Sequence, residues 1–111
     1  MIEETVLNYL IENMEVPVYM EEPETKPDSY LVLEKTGSGL ENYIWNATIS
    51  VQSYATSLYD AAELNNKVIT AMQSLTTDSN VCRVDLNSDY NFTDSTTKQY
   101  RYQAIFDIVH Y

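Results

Sequence analysis

The segment Glu41-Asn-Tyr-Ile-Trp-Asn-Ala-Thr-Ile-Ser-Val-Gln-Ser-Tyr54 runs almost directly into Ser57-Leu-Tyr-Asp-Ala-Ala-Glu-Leu64, and the change of rhythm between them decides the fold. In the first part Tyr43, Trp45, Ala47, Ile49 and Val51 alternate with Ile44, Asn46, Thr48, Ser50 and Gln52. Successive side chains of a strand point to opposite faces, so this spacing predicts one apolar face and one mostly polar face. In the second part Leu58, Ala61, Leu64, Val68, Met72 and Leu75 recur on one helical stripe. A helix over Leu58–Leu75 is expected, with Thr56 or Ser57 as N-cap and Asp60 three residues beyond Ser57. A sheet with one helix-covered face follows.

Outward from this pair, Ile2, Val6, Leu7, Leu10, Ile11 and Met14 predict an N-terminal helix, with Glu3 and Glu4 in its first turn, where the dipole favours acid. Pro17 ends that pattern, and Val18-Tyr-Met20 reads as a short edge strand. Glu21-Glu-Pro-Glu-Thr-Lys-Pro-Asp-Ser29 is a loop without an apolar residue. Tyr30 to Lys35 reads as a strand, and Thr36-Gly-Ser-Gly39 as the turn of an antiparallel hairpin. Val81 to Leu86 is a further short strand, and Asn87 to Thr97 a polar hairpin loop or strand ends projecting past the sheet. Gln99 to Tyr111 is a long strand, with Tyr100, Tyr102, Ala104, Phe106 and Ile108 on one face. The class is α+β, a single domain over residues 1–111: one antiparallel or mixed sheet with two helices packed on one face.

Composition narrows function by exclusion. Net charge is −11, from 17 acidic and 6 basic residues, so the chain should repel phosphate rather than seek DNA or an anionic membrane. No apolar run reaches the roughly 18 residues of a membrane span, and a secretory leader is not expected. The triplets Asn46-Ala-Thr48 and Asn91-Phe-Thr93 are then read as chance. Ten tyrosines suit half-buried sheet positions and contact surfaces.

Candidate chemistry is sparse. His110 is the one histidine and reads as a strand-end residue rather than part of a triad. Cys82 is the one cysteine and reads as a buried structural thiol. Asp85, Asp89 and Asp94 could meet across the last hairpin, yet they lack the EF-hand pattern. Gly37-Ser-Gly39 is not a phosphate-binding loop. No catalytic residue, metal or cofactor is therefore expected, and the chain is read as a non-enzyme. A small hydrolase would need a nucleophile and base that the sequence does not offer.

Taken together, the amphipathic first helix, Val16-Pro-Val-Tyr-Met20, the acidic proline loop, Ser29-Tyr-Leu-Val-Leu33, the long strand ending Ser50-Val-Gln-Ser-Tyr54, and the helix closing on Val68-Ile-Thr-Ala-Met-Gln-Ser-Leu75 resemble the tail-terminator and tail-completion proteins of long-tailed bacteriophages. The resemblance covers nearly the whole chain as an order of elements, through short and degenerate motifs. Ser29-Tyr30 stands where a proline-tyrosine pair is expected. It implies a virion protein of the head–tail junction, assembled in the bacterial cytoplasm. Its hexameric ring would cap the tail tube, end tube polymerisation and join a head-side connector, with the genome passing through. A head–tail connector or minor capsid component is the neighbouring alternative. An acidic DNA-mimic inhibitor is an alternative of another class.

Contact residues are expected where loops are exposed and chemically distinctive. These are Glu21, Glu22 and Glu24 in the proline loop; Lys35, Gly37 and Gly39 at the first hairpin; and Asp89, Tyr90, Phe92 and Asp94 in the last one. Tyr90 and Phe92, aromatic among polar neighbours, lead that group.

Overall fold

A computed structural model describes residues 1–111. The order is α1 (Ile2–Asn13), β1 (Val18–Tyr19), β2 (Tyr30–Glu41), β3 (Ile44–Ala55), α2 (Leu58–Gln73), a 3₁₀ turn (Leu75–Thr77), β4 (Val81–Asn91) and β5 (Tyr100–His110). The five strands form one sheet in the order β1-β2-β3-β5-β4. All pairings are antiparallel except β1 with β2, so the sheet is mixed and the class is α+β.

Both helices lie on the same side. Ile2, Val6 and Leu10 of α1 and Leu64, Val68 and Met72 of α2 join one buried cluster with Leu31, Leu33, Ala47, Ile49, Val51, Ala104, Phe106 and Ile108. Register explains the match. Ile49 pairs with Phe106, Ala47 with Ile108 and Val51 with Ala104, and cross-strand partners share a face. The Ser57 side chain accepts a hydrogen bond from the Asp60 amide at 3.1 Å, which caps α2 as its sequence suggests. Leu58 falls outside the buried stripe and is exposed. The long helix ends at Gln73, and Leu75 reaches the core from the 3₁₀ turn instead.

The first hairpin departs from expectation. Gly37 and Gly39 do not reverse the chain; β2 continues through both to Glu41. Neither glycine has a positive φ. The register shift between Lys35 and Gly37 marks a bulge, and a Cβ on Gly39 would sit 3.0 Å from Asn46 Oδ1 on the adjoining strand. The reversal is a two-residue turn at Asn42-Tyr43, with φ of 52° and 64°. Two positive φ values match the twist of a tight hairpin, and Asn tolerates them at the first position.

Both strands are therefore longer than their hydrophobic runs. Tyr43 leaves the apolar face and stands in the turn, while Trp45 remains half-exposed beyond the helix-covered core. The last hairpin repeats the theme. β4 runs from Val81 to Asn91, so Asp89 and Tyr90 belong to a strand and not to a loop. Bulges between Val81 and Arg83 and between Leu86 and Ser88 bend it.

Candidate functional site

The two faces of the sheet differ. One carries the helices; no helix lies on the other. Across the uncovered face the cross-strand register aligns Tyr19, Tyr30, Tyr54, Gln52, Arg101, Gln103 and Tyr90. Tyr30 stacks on Tyr54 with centroids 4.5 Å apart and planes 6° from parallel, and Tyr19 meets Tyr30 edge-on at 6.0 Å. The Arg101 guanidinium lies 4.4 Å from the Phe92 ring and 5.7 Å from that of Tyr54. Tyr90 meets Phe92 edge-on at 5.9 Å.

Hydrogen bonds run through the same residues. Arg101 Nη1 donates to the Tyr54 hydroxyl at 3.1 Å, and that hydroxyl donates to Gln52 Oε1 at 2.9 Å. Gln52 Nε2 donates to Gln103 Oε1 at 2.9 Å, and the Gln103 amide donates to the Tyr90 hydroxyl. Each donor in such a chain polarises the next, which holds the side chains in one arrangement. The result is a preordered belt of aromatic, amide and guanidinium groups from β1 to β4.

The expected contact residues fall into three groups. Tyr90 and Phe92 are exposed, but both are built into the belt: Phe92 caps Arg101 and its carbonyl accepts from Arg101 Nε at 2.7 Å. Glu22 serves the other end of the belt. It accepts from Gln99 Nε2 at 2.8 Å, pairs with Lys26 at 3.0 Å and faces the Tyr30 hydroxyl at 3.5 Å. The bond from Gln99, with Lys26 second, holds the Glu22 carboxyl below its ordinary range, while burial, reinforced by Glu22, pushes the Tyr30 phenol up to about 12. Glu21 and Glu24 stay exposed in the loop.

The remaining residues have local duties. Lys35 is in mid-strand and pairs with Glu3 of α1 at 3.5 Å, on the helix side. Asp89 accepts from Asn65 Nδ2 at 3.0 Å, tying β4 to α2. Asp94 holds the β4–β5 reversal: Oδ1 accepts from the Thr96 and Thr97 amides at 3.0 and 3.4 Å, which keeps its carboxyl below the usual value. Asp85, Asp89 and Asp94 do not converge. Asp85 is on the uncovered face opposite Asp107, Asp89 is on the helix side, and Asp94 is in the turn.

Cys82 is exposed, contrary to the buried thiol expected, because the β4 bulge leaves it without a strand partner. It lies against the Tyr111 hydroxyl, and that contact raises the phenol above its ordinary pKa. His110 ends β5, stacked 6.4 Å from Trp45 at 11°.

Periodicity did not single out the Leu40–Trp45 hairpin tip as a surface. Tyr43 is 93% exposed, Leu40 54%, Trp45 41% and Ile44 39%. The strand length that puts them there depended on the turn position, which the glycines obscured. No helix of the chain is long and apolar enough to cross a membrane. A scan against protein-family models finds no matching family, and a search of curated proteins finds no matching relative.

Proposed function

We propose that the chain is a structural assembly subunit of the phage tail-terminator type. Copies join into a ring, a hexamer by the resemblance, that caps the tail tube and offers a joining surface to the head-side connector. The observation that carries this reading is the uncovered sheet face. A belt already locked by hydrogen bonds and ring contacts loses little conformational freedom on meeting a partner.

The sheet borders support it as well. β1 covers β2 only at Leu31 and Val32, and β4 has no outer neighbour. Bulges on the outer strand β4 and on β2, most of whose outward edge β1 leaves uncovered, oppose indiscriminate edge pairing, so joining would go through side chains. A net charge of −11 suits a ring through which DNA passes without sticking. Light scattering with native mass spectrometry over a range of concentrations tests the proposal. A closed oligomer of one size is the expected result; a strict monomer throughout would refute it.

A further inference from the structure

We infer that the Leu40–Trp45 hairpin tip is the element by which one copy grips the next, and that it seats in the groove between α2 and the Asn13–Val16 segment at the end of α1 in its neighbour. The inference rests on the ring reading above and names the contact that would build the ring.

The tip is costly as it stands. A tight turn with two positive φ values favours glycine at its second position, yet Tyr43 occupies that position at φ 64°. A left-handed conformation brings the Cβ of a non-glycine residue too close to the following carbonyl oxygen and is unfavourable. Tyr43 is 93% exposed, so packing within the chain does not offset this. Strain kept in a fully exposed aromatic is a mark of a binding element. With Leu40, Ile44 and Trp45 the tip offers on the order of 500 Å² of uncovered apolar and aromatic surface, more than half of the ~800 Å² that one side of a standard interface buries.

The groove is its counterpart. It encloses about 630 Å³, with Met14, Val16, Leu64 and Ala71 as apolar walls and Lys67 and Thr70 on the rim. Tyr9 fixes its width by donating from its hydroxyl to the Ala71 carbonyl at 2.6 Å. Lys67 on the rim offers Glu41 of the tip an opposite charge, while Glu15 and Glu63 also line the groove. Plug and socket are different surfaces of one chain. Such a contact is heterologous, and it closes into a ring when the rotation permits.

Half-complementary variants test this. Tyr43→Gly removes the plug while giving the turn its preferred residue, so the variant should fold at least as well as the wild type. Thr70→Trp fills the socket from an exposed helical position. Each variant alone should be monomeric at concentrations where the wild type assembles, with apparent Kd raised about tenfold or more. Mixed one to one, they retain a single intact plug and socket, so a heterodimer should form and grow no further. If Tyr43→Gly still assembles like the wild type, the inference is overturned and the ring reading stands. If Thr70→Trp alone still dimerises through its tip, the groove assignment is overturned. A wild type that is monomeric at every concentration overturns the ring reading, and this contact with it.

Discussion

Replacing Arg101 by lysine keeps the charge and removes the planar fork, which isolates what the geometry of the belt contributes. Arg101 donates from Nε to the Phe92 carbonyl at 2.7 Å and from Nη1 to the Tyr54 hydroxyl at 3.1 Å, with its Cζ 4.4 Å from the Phe92 ring centroid. A lysine ammonium on a flexible stem cannot make both bonds and lie flat on the ring together. Bonds to charged groups contribute ~1.5–3 kcal/mol where water is excluded, and exposed cation–π contacts ~0.5–1 kcal/mol. Arg101 is only half-buried, so water replaces much of what is lost and the low end applies. The expected loss for Arg101→Lys is about 2 kcal/mol, or about 8 °C in Tm for a domain of this size. Urea unfolding should show a lower midpoint with an unchanged slope, since no large surface is newly exposed. A double-mutant cycle with Phe92→Leu should return a coupling of about 0.5–1 kcal/mol. If Arg101→Lys unfolds within about 0.3 kcal/mol of the wild type, positive charge alone suffices and the belt is not held by the guanidinium.

Two further outcomes follow from the titrating groups and the free thiol. The Tyr30 phenol is pushed up to about 12 from 10.0, so its neutral form is favoured in the folded state. Its contribution to stability is therefore complete below pH 10 and declines as pH rises through about 12; Tyr30→Phe should flatten that decline in alkaline denaturation, and an unchanged profile would count against the assignment. Cys82 is exposed at a bulge, so an aromatic disulfide reagent should titrate it in the native protein. A thiol that reacts only after denaturation would show the bulge to be covered.

The sequence determined the elements wherever their periodicity was backed by burial. The alternation of Ala47, Ile49 and Val51 and of Ala104, Phe106 and Ile108, and the helical stripe of Leu64, Val68 and Met72, each place a side chain in the same core. That suffices to put two helices on one face of one sheet, because each apolar face needs another to cover it. Ser57 as a cap was legible for a similar reason: its hydroxyl acts on its own helix, three residues away.

What tertiary structure decided lies where chain-local chemistry gives a misleading or neutral signal. Two glycines resembled a turn, but pairing of β2 with β3 carried both strands past them, and Asn42-Tyr43 took the reversal. Tyr90, Phe92, Arg101, Gln103, Gln52, Tyr54 and Glu22 are dispersed over most of the chain, and only the strand order β1-β2-β3-β5-β4 lines them up. Asp89 and Lys35 are exposed as their sequence context suggests, yet each also engages a helix residue, Asn65 and Glu3, that no local pattern announces. A side chain's period tells which way it points; which partner waits there depends on register between segments far apart in sequence, and no local pattern encodes that.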